Sequence, residues 1–299
     1  MATIYTHKSE NIWKTWALMT VFFGIVIGIG FVFSQVYGNP TILYVAVLFS
    51  IIMNVVSYWF SDRIVLRLHH AQPVENREVH RILENLCITA GLPMPRFYLI
   101  DDPAPNAFAT GRNAEHAVVV VTTGLLNILE RSELEGVLAH ELSHIGNRDM
   151  LVSTVAVVLV GFVSIVSDIF MRSLWFRGRD RDDRGNAGAI LMLVGVSLSI
   201  LAPLFATLIH LAISRKREFL ADASGSLLTR YPEGLARALE KISVHSQPLR
   251  TATNATAHLF LENPFGADRG SDTQSRTPLL VRLFSTHPPI SDRVRALRS

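Results

Sequence analysis

Four long stretches of nearly uncharged, apolar residues divide this chain, at 12–37, 41–60, 150–167 and 188–213. Each reaches the length of about 17 residues that lets a helix cross the hydrocarbon layer of a bilayer. The first follows His7 and Lys8, carries Lys14 at its start and is too long for the short apolar region of a cleaved signal peptide, so it reads as a retained span. The link Ser34 to Pro40 carries no charge, and the first two runs therefore form a hairpin. Arg63, Arg67, His69 and His70 follow immediately, and this positive flank predicts that the N-terminus and residue 61 onward face the cytoplasm. The third and fourth runs read as a second hairpin, with Pro203 a kink in its far leg. Their connection, 172–184, holds five Arg against Asp180, Asp182 and Asp183, more positive than an external loop should be. Either the charge bias is overridden there or this pair does not fully span, and in both cases residues 149 and 214 return to one side.

Between and after the hairpins the pattern changes. Residues 76–90 place Val79, Ile82, Leu83, Leu86 and Cys87 on one helical face, and Gly91 with Pro93 supplies a stop. Residues 96–100, 106–110 and 117–121 are short β-prone runs separated by Asp-Asp-Pro and Gly-Arg-Asn turns, which predicts a small sheet, antiparallel in part. Ser132 followed by Glu135 is a capping-box pattern opening another helix, whose inner side takes Leu134, Val137, Leu138 and Ile145. Helical patterns return at 214–229, 233–246 and 291–298, and a Gly-, Ser-, Thr- and Asp-rich stretch at 266–277 reads as a loop. The predicted class is mainly α with a small β-sheet (α+β) joined to four hydrophobic helices. Its units are a hairpin at 1–60, a first catalytic part at 61–149, a second hairpin at 150–213 and a second catalytic part at 214–299.

Composition agrees: 49% of the 299 residues are hydrophobic and the mean hydropathy is +0.31, the balance of a membrane protein. A net charge of +3, with Arg residues flanking apolar runs, gives nucleic-acid binding no support. The single cysteine, Cys87, cannot close an intramolecular disulfide and reads as a core residue.

The chemistry centres on His140-Glu141-Leu142-Ser143-His144. In a helix, residues four apart share a face, so both imidazoles can converge on one zinc ion with the Glu141 carboxylate beside them as general base. The flanking sequences Glu130-Arg131-Ser132-Glu133 and Asn147-Arg148-Asp149 are polar and place the motif at the membrane boundary rather than inside an apolar span. A catalytic zinc needs a third protein ligand. A histidine six residues past His144 would supply it in metzincins, but Met150 stands there. Glu218-Phe219-Leu220-Ala221-Asp222 offers an alternative, with Glu218 to the metal and Asp222, four residues on, to a ligand histidine. His287, before two prolines, is a distal candidate for stabilising an oxyanion.

His140 to His144, Arg217 to Asp222, Asn106-Ala107-Phe108-Ala109 and Ser285-Thr286-His287-Pro288, set among two hydrophobic hairpins, resemble the HtpX branch of the peptidase M48 family of membrane zinc metalloproteases. The resemblance implies a zincin-like catalytic domain facing the cytoplasm of a bacterial inner membrane, one Zn²⁺ per chain and Glu218 as third ligand. It implies cleavage of unfolded, misfolded or damaged membrane proteins during envelope stress, with self-cleavage and functional overlap with other membrane quality-control proteases. It also implies that Asn106, Ala107, Phe108 and Ala109 form an edge strand able to pair with substrate backbone, and that Arg217, Asp222 and His287 support the site. His287 would then be a transition-state donor or a zinc ligand in a resting form. Two other readings stand beside this one. A zinc-stabilised scaffold or chaperone has no need of a base at Glu141, and for a prenyl-protein protease of the same broad family four apolar runs enclose little membrane volume.

Overall fold

The computed structural model describes residues 4–159, 161–162, 215–253, 256–265 and 288–299. The fourth apolar run, the Arg-rich connection, the loop at 266–277 and His287 lie outside the described residues, as does most of the third run beyond 159.

Helices α1 (Ile4–Tyr37) and α2 (Thr41–Leu68) form the first hairpin. Within them Ser9–Gln35 and Thr41–Leu68 are long and apolar enough to cross a membrane. Their polarity is inverted relative to a soluble pair: Trp16, Tyr44, Leu48 and Trp59 point outward, whereas Ser50, Ser57 and Ser61 are buried. Small residues at the contact let the two backbones approach, which is how helices pack where lipid removes the hydrophobic incentive. Gly30 shows the closeness, since a Cβ there would lie 2.3 Å from Ala46 Cβ. The sequence pattern ended the second run at 60, but α2 continues to Leu68 without a break and carries Asp62 and Arg63 out of the apolar stretch.

After a two-residue strand β1 (Gln72–Pro73) comes α3 (Arg77–Ala90). Asn76 caps it through the N–H groups of Glu78 and Val79, and Gly91 ends it at φ +63°, a left-handed conformation that glycine takes without steric cost. Strands β2 (Arg96–Ile100), β3 (Ala107–Thr110) and β4 (Val118–Thr122) complete a mixed sheet in the order β1-β2-β4-β3. The β2–β4 pair is parallel and the other two are antiparallel. Four consecutive valines in β4 follow from its central position: Val119 and Val121 face the helical core, and Val118 and Val120 face the other side with Phe108 and Phe260.

On the helical side lie α4 (Thr123–Ile128), α5 (Arg131–Asn147) and α8 (Pro232–Val244), whose Leu138, Leu142, Leu235 and Leu239 pack with Leu83, Leu86 and the buried Cys87 of α3. The capping box of α5 sits earlier than the Ser132–Glu135 pattern suggests. Its N-cap is Glu130, whose N–H donates to the Glu133 carboxylate at 2.8 Å. Glu133 is also held by Lys241 of α8 at 2.8 Å, and this second partner selects that register. Helix α6 (Asp149–Leu159) packs on α1 through Leu151, Val155 and Leu159 against Leu18 and Phe22. Helices α7 (Arg215–Thr229) and α9 (Ile290–Leu297) close the described fold.

Candidate metal centre

Helix α5 carries His140, Glu141 and His144 on a buried face, with Glu141 2% exposed. The Nε2 atoms of His140 and His144 lie 3.1 Å apart. Helix α7 crosses close enough for Glu218 to reach both rings, with Oε2 3.9 Å from His140 Nε2 and Oε1 3.7 Å from His144 Nε2. Gly225 permits this crossing, because a Cβ at that position would lie 2.9 Å from the His140 backbone nitrogen. A tetrahedral zinc with arms of about 2.1 Å spaces its ligand atoms about 3.4 Å apart, so the two imidazoles and the carboxylate fit such an ion. Among the described residues these three, whose donor atoms all lie within 4.8 Å of one another, are the group able to hold a metal.

The outer nitrogen of each imidazole is also held. His140 Nδ1 faces Asp222 Oδ1 at 2.9 Å, and His144 Nδ1 faces Asp149 Oδ2 at 3.1 Å. A carboxylate at Nδ1 draws the ring proton to that side and leaves the Nε2 lone pair for the metal. Each carboxylate is fixed in turn by an arginine. Arg293 of α9 donates through Nε and Nη2 to both oxygens of Asp222, at 2.8 and 2.7 Å, and Arg217 Nη1 donates to Asp149 Oδ1 at 3.0 Å. Spacing suggested Asp222 as the partner of a candidate ligand histidine, and its carboxylate lies beside His140 Nδ1. Asp149 and Arg293 carried no such signal. Asp149 turns back because Arg148 adopts φ 58°, ending α5 and restarting the chain as α6 beside His144.

Burial raises the Glu141 carboxyl to about 7, with the Glu218 charge adding to the effect and His144, Arg293 and the Ala109 N–H opposing it. A carboxylate near neutrality is suited to take a proton and return it. Burial likewise opposes charge on His144, but its bond to Asp149 and the charges of Glu218, Asp149 and Glu141 outweigh this and raise it to about 9. Desolvation keeps His140 below its ordinary value. Asp222 is held at about 2: burial opposes its charge, and Arg293 and His140 outweigh it.

Strand β3 lies at the sheet edge beside α5. Its free side is not uniform. Asn106 exchanges hydrogen bonds with the backbone of Glu262, and Leu261 N–H donates to Ala107 O at 2.9 Å. Phe108 points into the opposite core, while Ala109 lines the cleft over the motif with Ser153, His258 and Leu259.

A helix-borne His-Glu-His set, a buried base and an apolar helical hairpin define a membrane metalloprotease. The sequence profile described as Peptidase family M48 matches residues 73–299. The chain is 42% identical over 307 residues to the Protease HtpX homolog of Caldanaerobacter subterraneus subsp. tengcongensis, covering 99% of this chain and 98% of that one. It is 47% identical over 291 residues to the Protease HtpX homolog of Pyrococcus furiosus, covering 95% and 94%. Among solved structures, S. mikatae Ste24p shares the fold with a TM-score of 0.53 at 19% identity, over 96% of this chain and 67% of that one. The chain belongs to peptidase family M48.

Proposed function

We propose that this protein is a zinc-dependent endopeptidase of the bacterial inner membrane, multi-pass, with its catalytic face in the cytoplasm, cleaving misfolded or damaged membrane proteins. The observation that carries the reading is the convergence of His140, His144 and Glu218 next to the buried carboxylate of Glu141. His140 Nε2, His144 Nε2 and a Glu218 carboxylate oxygen would hold the zinc. When bound, zinc lowers the pKa of water and polarises a substrate carbonyl. Glu141 takes a proton from the attacking water and delivers it to the departing amine, and the two Nδ1 partners keep both rings oriented throughout. Ala109 lines the cleft beside Glu141, so an extended substrate would add to the sheet edge there. Main-chain pairing of this kind accepts many sequences, which suits unfolded substrates. Self-cleavage follows from the same tolerance. Arg63 and Arg67 support the cytoplasmic orientation.

The test is cleavage of an unfolded protein such as casein by the detergent-purified, zinc-loaded chain and its Glu141→Gln variant. Cleavage by the parent alone is expected. Equal cleavage by both, or none by a fully zinc-loaded parent, overturns the reading.

A further inference from the structure

Asn11 stands near the start of an apolar membrane helix, yet it is 1% exposed and its side chain faces the metal centre rather than lipid or water. A buried amide costs free energy unless its donors and acceptor are used, and here they are. Nδ2 donates to Asn147 O at 3.0 Å and to Asp149 Oδ1 at 2.7 Å, and Oδ1 accepts from Arg217 Nη1 at 3.1 Å. One residue of α1 thereby ties together the last residue of α5, the first of α6 and the first turn of α7.

The consequence for the site lies in the geometry of Asp149. Its Oδ1 receives both Asn11 Nδ2 and Arg217 Nη1, while its Oδ2 is left for His144 Nδ1. Two donors on one oxygen fix the plane of the carboxylate, and that plane sets the direction in which the other oxygen holds the imidazole. The His140 limb is built differently, since Asp222 is anchored by Arg293 from α9 and touches no membrane helix through these bonds. The His140 limb is thus held from the catalytic part alone, whereas the His144 limb is held jointly by Arg217 of the catalytic part and Asn11 of the first membrane helix.

We infer that Asn11 is a positioning residue of the metal site, acting through Asp149 on His144, so that the seating of α1 sets the affinity and geometry of the metal. This rests on the proposed assignment of His140, His144 and Glu218 as ligands. Removing its amide leaves Asp149 Oδ1 held by Arg217 alone and lets the carboxylate and the His144 ring tilt, while the two helices keep their apolar packing through Leu18 and Phe22 against Leu151 and Leu159.

The experiment uses the full-length chain in detergent, loaded with Zn²⁺ or Co²⁺, as parent, Asn11→Ala, Asn11→Leu, Asp149→Ala, the Asn11→Ala/Asp149→Ala double variant and Glu218→Ala. Metal affinity is measured by chelator competition, and site geometry by the visible absorption of bound Co²⁺. Asn11→Leu keeps nearly the same shape without adding charge and loses the hydrogen bonds, so a packing role alone leaves its metal binding close to the parent. Both Asn11 variants are expected to bind about tenfold more weakly, with altered cobalt bands, as outer hydrogen-bond partners of ligands do. In the Asp149→Ala background the Asn11→Ala effect on affinity should vanish, because the intermediary is gone. Parent-like affinity and cobalt bands in the Asn11 variants overturn the inference, even if their metal-free melting temperature falls, and so does an undiminished effect in the double variant. Glu218→Ala reports on the ligand assignment separately: if it retains full metal, that assignment fails whatever Asn11 does.

Discussion

His144 Nδ1 and Asp149 Oδ2 lie 3.1 Å apart although a helix ends between them. The left-handed Arg148 turns the chain so that the first residue of α6 faces the last turn of α5. Asp149→Asn removes the charge at this contact while keeping its shape. We expect zinc affinity to fall about 10- to 100-fold, the usual loss when a carboxylate behind a ligand histidine is removed, as chelator competition would show.

The same pair sets how metal binding depends on pH. Zinc takes the neutral imidazole, and in the metal-free protein His144 holds its proton up to about 9. Binding must therefore expel one proton, so affinity should rise up to about tenfold per pH unit between about pH 7.5 and 8.5 and level off above 9. His140, with its lowered value, releases none in this range. Without metal the sign reverses. The protonated His144 ring stabilises the fold fully below its ordinary value of 6.5, and that contribution disappears as pH rises through about 9. Calorimetry in buffers of different ionisation enthalpy counts the released proton, and a count near zero at pH 8 contradicts the assignment.

Arg293 is 1% exposed and neutralises Asp222 through two short bonds. Arg293→Met leaves a buried carboxylate without its partner, at a cost of about 3–5 kcal/mol. Arg293→Lys restores the charge without the fork that spans both oxygens and should recover only part of that loss. Denaturant unfolding of the metal-free chains measures both.

Two glycines give opposite expectations for alanine. At Gly225 the new Cβ meets the His140 backbone 2.9 Å away, so the variant must push α7 from α5, at about 1–3 kcal/mol and with weaker metal binding. At Gly146 the nearest atom is Leu92 Cδ1 at 3.7 Å, an ordinary contact, and replacing a helical glycine should stabilise by about 0.5–1 kcal/mol. Thermal melts with and without zinc separate the two, and equal behaviour would remove the close-approach argument.

Glu141→Gln keeps the size of the side chain beside Ala109 and removes its capacity to accept a proton. Zinc content should be unchanged while cleavage drops by about 10²–10⁴-fold, the range for loss of a general base. A parallel loss of zinc would make Glu141 a structural residue instead.

Much of this protein is written in its local patterns. A 3.6-residue period marked α3 from Asn76 to Ala90, short β-prone runs between turn residues marked β2, β3 and β4, and apolar length marked the first hairpin. The spacings His140–His144 and Glu218–Asp222 each place two side chains on one helix face, so sequence alone pointed to His140, Glu141, His144, Glu218 and Asp222, which the fold brings together. Tertiary structure decided the rest, because it depends on residues that meet only after folding. Asp149 serves His144 through a left-handed turn that no periodicity announces. Arg293 carries no signal in the sequence and becomes buried when α9 packs over α7. Asn11 is one polar residue at the edge of an apolar run until it meets Asp149, 138 residues away. The capping of α5 by Glu130 rather than Ser132 was chosen by Lys241 on another helix. Local sequence fixes which atoms can share a face; only packing selects which faces meet and which buried charges are left to find one another.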